Sequence, residues 1–116
     1  MRNNFQHKPY MRDELLEKNY DKLIHIEAKI KEQLADFENF DGIDFCDVGA
    51  RGIQIRGHHK EVKGYCYGDQ ITIEYDFSNK DEAIERFVSM WRKSDTKEKV
   101  TQYNNFLADG ARWGWD

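Results

Sequence analysis

Residues 62–91 read VKGYCYGDQITIEYDFSNKDEAIERFVSMW, and this stretch decides the fold. Two runs rich in aromatic and β-branched residues flank Gly68-Asp69. That dipeptide is typical of a two-residue hairpin turn, because glycine readily adopts the positive φ of the first turn position. The turn would pair Tyr67 with Gln70 and fix the register of the strands outward from it. A polar segment then leads into the amphipathic pattern DEAIERFVSMW, so the stretch predicts a β-hairpin followed by a helix.

The chain on either side of this stretch adds two helices and two strands. Apolar residues spaced alternately by three and four predict a long helix over residues 12–37. Extended runs over 43–48 and 53–57, joined by glycine-containing turns, predict two strands that precede the hairpin. A capped pattern over 97–108 predicts a last helix. The fold class is therefore α+β, an antiparallel meander of three to four strands in the order α-β-β-β-β-α-α.

The helix after the hairpin and the strand before it each have one apolar face. We expect the helix face to cover the strand face, so that Phe87 meets Ile73 in the core. The first helix has a wider apolar stripe than a coiled-coil seam requires, interrupted at Glu27. A dimer through such a seam is the alternative, but the width favours packing within the chain and a monomer.

Composition and charge narrow the class of protein. The chain has 116 residues, 34% of them charged, with a single proline and a net charge of −4. This describes one globular domain, residues 1–116, without the basic footprint of a nucleic-acid-binding protein. No apolar run is long enough to span a membrane and the N-terminus lacks the apolar core of a signal peptide, so we expect a cytoplasmic protein.

The two ends of the chain carry anchoring aromatic residues. Residues 1–10 predict an arm that frays, except where Phe5 and Tyr10 anchor it. The tail at 111–116 contains Trp113 and Trp115. These two tryptophans either fold back onto the domain or offer an apolar surface to a partner.

The sequence contains no recognisable catalytic set. The serines and cysteines have no obvious histidine partner, and no phosphate-binding motif precedes a helix. Cys46 and Cys66 with His58 and His59 lack the spacing of a zinc site, and the cysteines are expected to be free thiols. We therefore predict a non-enzymatic protein with no cofactor and no metal.

The outward face of the predicted sheet is the candidate binding surface. Tyrosine and arginine are enriched at protein interfaces, because they bury large areas at low entropic cost. The residues expected on this face or in the tail are Arg56, Lys63, Tyr65, Tyr67, Glu74, Trp113 and Trp115. Aromatic residues among basic ones could alternatively stack single-stranded nucleic acid, although the acidic balance makes nucleic acid an unlikely ligand for the chain on its own.

The element order, together with the helix DEAIERFVSMWR at residues 81–92, resembles the small phage-encoded anti-CRISPR proteins that inhibit type II CRISPR nucleases. The resemblance implies a non-enzymatic phage protein of the host cytoplasm whose partner is a host protein or nuclease complex. In that family, acidic side chains occupy the nuclease surface that would hold DNA. The resemblance assigns this part to Asp44, Asp47, Asp69, Glu74 and Asp76.

Overall fold

The computed structural model describes residues 4–47, 49, 52–60 and 66–94, with the backbone alone described at 66–70 and 94. The helices and strands in chain order are α1 (Asp13–Gln33), β1 (Phe40–Asp47), β2 (Ile53–His59), β3 (Cys66–Ile73) and α2 (Lys80–Ser94). The three strands form one antiparallel sheet in the order β1-β2-β3. The predicted α+β class with a long first helix and an antiparallel meander is therefore confirmed. The helix predicted over 97–108 lies outside the described residues.

The predicted hairpin turn at Gly68-Asp69 is wrong. Both residues lie inside the continuous strand β3, and Tyr67 pairs with Gly57 of β2 rather than with Gln70. The register shifts between Ile55 and Gly57, so residues 68–70 stand opposite Arg56 alone. Glycine within a strand commonly marks a bulge. Gly68-Asp69 thus indicated an irregular backbone, but it did not show whether the irregularity was a hairpin turn or a strand bulge.

Several element ends differ from the predicted ones. The helix predicted over 12–37 ends at Gln33, and β1 begins at Phe40, earlier than the predicted residue 43. Gly42, with φ of 90°, lies where the β1–β2 register is irregular, and this irregularity obscured the alternation on which the prediction depended. The strand β3 ends at Ile73, and residues 74–79 form a hydrogen-bonded connection to α2.

The core lies between the sheet and the two helices. Along β2, Ile53, Ile55, Gly57 and His59 are buried while the residues between them are half-buried, so one face of the strand points inward. Phe87 and Ile73, expected to meet in the core, are both fully buried members of the same apolar cluster. That cluster joins inward strand residues to residues of both helices. The helix residues are Leu16, Tyr20, Leu23, Ile26 and Ile30 of α1, its C-cap Leu34, and Ala83, Ile84, Phe87, Val88 and Trp91 of α2. Helix α1 therefore packs within its own chain, as its broad stripe predicts.

Gly57 sets how closely α2 approaches the sheet. A Cβ atom at this position would lie 2.6 Å from Cζ3 of Trp91 and 2.8 Å from Cζ of Phe87. Real side chains do not tolerate such distances, so only glycine allows the two rings to approach the strand this closely. Trp91 is fully buried there and meets Phe40 edge to face, with ring centroids 5.1 Å apart.

The N-terminal arm, residues 4–12, lies along the open edge of β1. Phe5 is buried and makes edge-to-face contacts with Tyr20 and Phe45. The Tyr10 N–H donates to the Phe45 carbonyl at 2.8 Å, and the Asp47 N–H donates to the Tyr10 carbonyl at 3.0 Å. The arm therefore pairs parallel to β1 by backbone hydrogen bonds, while the side chain of Tyr10 is 75% exposed.

Glu27 interrupts the apolar stripe of α1 and is buried beneath the arm. Only 6% of the residue is exposed, and Oε2 accepts a hydrogen bond of 3.3 Å from the Gln6 N–H. Burial raises the pKa of this carboxyl above its ordinary value, and the Gln6 bond and the nearby Lys31 and His7 offset only part of that rise. The ionised form of Glu27 is therefore a cost to folding.

We expect Glu27→Gln to raise the free energy of unfolding at neutral pH, because an amide keeps an acceptor for Gln6 without a buried charge. A group whose pKa is raised by folding contributes stability at low pH and loses it as the pH rises through the folded pKa. The advantage of the variant should accordingly shrink as the pH falls through the raised pKa of Glu27, and it should be smallest below the ordinary glutamate pKa, where the carboxyl is protonated in both states. Urea unfolding at a series of pH values measures this. A constant difference at all pH values would contradict burial of the charge.

Candidate functional site

The sheet face opposite the helices carries a row of polar side chains, which we call the outer sheet face: Asp44, Cys46, Gln54, Arg56, His58 and Thr72. The register pairs Asp44 with Arg56 and Gln54 with both Cys46 and Thr72, so these side chains lie side by side. They alternate with the buried residues of the core. Among the described elements, α1 and α2 pack on the other side of the sheet from this face.

Asp44 is the electrostatic centre of the outer sheet face. The residue is 5% exposed, yet its carboxylate binds two side chains of the neighbouring strand. Arg56 donates from Nε to Oδ1 at 2.7 Å and from Nη2 to Oδ2 at 3.2 Å. This two-point contact fixes the orientation of the guanidinium relative to the carboxylate. His58 Nε2 lies 2.9 Å from Oδ2. The carboxylate is thus engaged on both oxygens and holds Arg56 and His58 in place.

The N-terminal arm contributes a second histidine to this cluster. The ring of His7 stacks on that of His58, with centroids 3.9 Å apart and planes only 7° from parallel. His7 Nε2 also lies 2.6 Å from the backbone carbonyl of Asp41. The arm therefore covers one end of the outer sheet face and ties it to β1.

A second polar cluster lies where β1 ends. The Asp47 carboxylate accepts hydrogen bonds from Arg12 Nε at 2.9 Å, the Tyr75 hydroxyl at 2.6 Å and the Gly49 N–H at 3.2 Å. The bond from Tyr75, more than the one from Arg12, holds the pKa of Asp47 below its ordinary value. The same bond raises the pKa of Tyr75. This cluster joins the arm, β1 and the segment after β3.

Glu74 and Asp76 lie together in the connection between β3 and α2. Glu74 Oε2 accepts from the Ser78 hydroxyl at 2.6 Å, and Asp76 Oδ1 accepts from the Ser78 N–H at 3.0 Å. The bonds from Ser78 lower the pKa of Asp76. The Asn79 side chain turns back from α2, since its Oδ1 accepts from the Glu74 N–H at 2.8 Å and its Nδ2 donates to the Thr72 carbonyl at 2.9 Å.

The structure brings only some of the sequence-predicted site residues together. Asp44 and Arg56 meet on the outer sheet face, whereas Asp47 and the Glu74/Asp76 pair belong to separate clusters. Asp69 lies in β3, as does Tyr67, which stands opposite the core-facing Gly57. The predicted partner-binding residues that lie outside the described residues are Lys63, Tyr65, Trp113 and Trp115.

His58 was not expected on this face, because the predicted second strand ends at residue 57. The alternation of Gln54, Arg56 and His58 nevertheless continues the strand pattern by one step. His7 carried no such signal, because its partner lies far along the chain.

The described residues offer few alternatives for chemistry. Within them, no three His, Cys, Asp or Glu side chains are grouped so that they could hold a metal ion. None of their helices is long and apolar enough to cross a membrane. Comparison with known proteins gave no significant match to a protein-family model, to a curated protein or to a solved structure.

Proposed function

We propose that this chain is a small non-enzymatic protein that binds a larger host protein through the outer sheet face and inhibits it. Its part would be that of the phage-encoded inhibitors of type II CRISPR nucleases, acting in the host cytoplasm as a monomer. The proposal requires no cofactor. It gives the function to a surface rather than to a catalytic group.

One observation carries the proposal, namely the pre-organised outer sheet face. Both helices pack on the opposite side of the sheet, so among the described elements only the arm reaches this face. Arg56 is fixed by Asp44, and 29% of its side chain remains exposed. A held guanidinium loses little entropy when a partner binds it, which is why ordered arginines serve as binding centres.

Acid mimicry of DNA, which the resemblance suggests, finds weaker support in the contacts. Asp44 and Asp47 already accept two or three internal hydrogen bonds each, and Glu74 and Asp76 bond to Ser78. Such carboxylates have less capacity left for an arginine-rich nuclease groove. The proposal therefore rests on a mixed polar face rather than on a row of acids.

Single-stranded nucleic acid is the second candidate ligand, favoured by the stacked His7 and His58 rings beside Arg56. Rings and a guanidinium on one face can stack bases. The net charge of −4 opposes binding of a phosphate backbone, so the protein partner remains the proposed one.

The test uses Gln54 and Thr72, which face outward, are half-buried and are opposite each other in the register. We expect Gln54→Arg with Thr72→Arg to abolish copurification of the partner, identified by mass spectrometry with the unaltered protein, because two long charged side chains would block the face. The circular dichroism spectrum and melting temperature should change little. Ala28→Arg on the exposed side of α1 is the control and should retain the partner.

Retention of the partner by the double variant would contradict the assignment of the outer sheet face. Fluorescence anisotropy with labelled single-stranded DNA and RNA at about 0.15 M salt, where exposed charges are screened over roughly 8 Å, tests the second candidate. Submicromolar binding lost in the double variant would favour nucleic acid.

A further inference from the structure

The N-terminal arm places the side chain of Tyr10 on the outer sheet face. The backbone hydrogen bonds of Tyr10 with the residues before and after Cys46 make these two residues partners in a parallel bridge. Bridge partners direct their side chains to the same face of a sheet, and Cys46 belongs to the outer sheet face. The register continues from Cys46 to Gln54 and Thr72. Tyr10 therefore begins a row of side chains that crosses the outer sheet face from the arm to β3.

The ring of Tyr10 is exposed although its backbone is held. The residue is 75% exposed, and in the described ranges no other large hydrophobic residue is exposed. Its N–H and its carbonyl are both hydrogen-bonded to β1, and Pro9 before it is buried. Covering such a ring costs little conformational entropy, which is why tyrosines on a fixed backbone serve as anchors of protein interfaces.

A groove with a volume of about 440 Å³ is lined in part by this ring, and we call it the arm groove. Pro9, Tyr10 and Met11 form its apolar and aromatic wall, and Lys8 and Arg12 are its basic residues. The volume is within the range of ligand-binding clefts. The arm groove is therefore a concave site at the border of the outer sheet face.

Arg12 gives the arm groove a fixed guanidinium with donors to spare. It donates through Nε to Asp47 Oδ2 at 2.9 Å and lies beside the Tyr75 hydroxyl, while 71% of its side chain is exposed. A guanidinium has more N–H groups than these contacts use, so donors remain at the Nη end that can bind a carboxylate at two points. Lys8, exposed in the same groove, adds a second cation.

The acids of the arm groove are already compensated. Asp47 accepts a hydrogen bond from Arg12 on Oδ2 and bonds from Tyr75 and Gly49 on Oδ1. Asp13 lies in the first turn of α1, where the helix dipole stabilises a negative charge. The capacity left for a ligand is consequently that of donors and cations, which favours an acidic group over a basic one.

We infer that the arm groove binds an aromatic side chain and a carboxylate presented together by a partner protein. The aromatic ring packs on Tyr10 and Met11, where ring–ring and sulfur–ring contacts are favourable. The carboxylate accepts from the remaining Nη donors of Arg12, with Lys8 as the second cation. Alternate residues of an extended segment point to the same side. The fitting segment therefore has its aromatic and acidic residues two positions apart, as Tyr10 and Arg12 are in the arm.

This inference deepens the proposed function, on which it rests for the existence of a protein partner. The probes are the capped peptides acetyl-Phe-Gly-Glu-amide and acetyl-Glu-Gly-Phe-amide, because the groove does not fix the direction of the segment. The matched controls replace the glutamate by glutamine or the phenylalanine by alanine. Binding to the full chain is followed by amide shifts in nuclear magnetic resonance spectra. We expect the better-bound order to have a Kd on the order of 1–5 mM, as for a contact of two side chains, with shifts centred on residues 8–12.

With the unaltered chain, the glutamine peptide should bind at least about threefold more weakly, and the alanine peptide at least about fivefold more weakly. Tyr10→Ala should weaken the glutamate peptide to the same extent as loss of its phenylalanine, whereas Tyr10→Phe should retain the affinity because it keeps the ring. Arg12→Gln should remove the difference between the glutamate and glutamine peptides, since it deletes the charge that distinguishes them. Arg86→Gln, at an exposed position of α2, is the control and should keep that difference.

Equal affinity of the glutamate and glutamine peptides for the unaltered chain, or no shift at residues 8–12 at about 20 mM peptide, would overturn the inference. This comparison needs no variant, so it remains decisive if Arg12→Gln releases the arm, which hydrogen exchange of the Tyr10 and Asp47 amides would reveal. The peptides do not require the natural partner. Their failure is therefore distinguishable from failure of the copurification test of the outer sheet face.

Discussion

Replacement of Trp91 by alanine should lower the free energy of unfolding by about 3–5 kcal/mol, the range for large buried aromatic residues. Trp91 is fully buried and contacts Phe40, the ring of His59 at a centroid distance of 4.3 Å, and the bare backbone of Gly57. Alanine cannot make these contacts, so the substitution should leave a cavity between α2 and the sheet. Chemical denaturation followed by circular dichroism measures the loss.

A double-mutant cycle with Gly57 tests the cause of that loss. Gly57→Ala alone should destabilise by about 1–3 kcal/mol, as overpacking does, because its Cβ overlaps the Trp91 ring. In the Trp91→Ala background the same substitution should cost clearly less, giving a coupling energy above about 0.5 kcal/mol. Additive effects of the two substitutions would show that α2 does not lie against Gly57. Ser89→Ala, on the exposed side of α2, is the control and should have little effect.

Asp44→Ala should be the second most damaging substitution, with a loss of about 2–4 kcal/mol. It removes the acceptor for two hydrogen bonds from Arg56 and one contact with His58, and so takes away the carboxylate that pairs with a partly buried guanidinium. Partial exposure of Arg56 keeps the cost below that of a fully buried pair. Thermal and urea unfolding at neutral pH provide the measurement.

Asp41→Ala is the matched control, because this acid lies on the same strand but its side chain is 43% exposed. Exposed ion pairs contribute about 0–1 kcal/mol, so the control should lose far less than Asp44→Ala. Equal losses would mean that the Asp44 pair is exposed and carries little energy. Such a result would also remove the fixed Arg56 on which the proposed function depends.

Where apolar residues recur with a regular spacing, the sequence alone was sufficient to locate the helix or strand. The alternation of Ile53 and Ile55 located β2, and the amphipathic run around Phe87 located α2 and its buried face. The spacing of apolar residues likewise located α1, including its orientation toward the core. These patterns repeat over several turns or pleats, so they are robust to a single exception.

What the sequence did not reveal depends on contacts between distant residues. Gly68-Asp69 has the same local preference in a hairpin turn and in a strand bulge, and only the length of the facing strand β2 distinguishes them. Asp44 resembled an exposed acid because its partners follow it by more than ten residues. The charge of Glu27 is buried by an arm whose course no periodic pattern indicates.

The parallel bridge between Tyr10 and Cys46 is expected to form late when the chain folds. The bridge joins segments on either side of α1, so it cannot close until the helix and β1 are packed, whereas the sheet strands pair with chain neighbours. Closing a long loop costs conformational entropy before the contacts at its ends can form. Segments held by such contacts therefore fold late and are the first to detach in native fluctuations. Detachment uncovers the edge of β1, and an uncovered edge can pair with another molecule. Resistance to self-association is then governed by the local opening free energy of the arm rather than by the global free energy of unfolding.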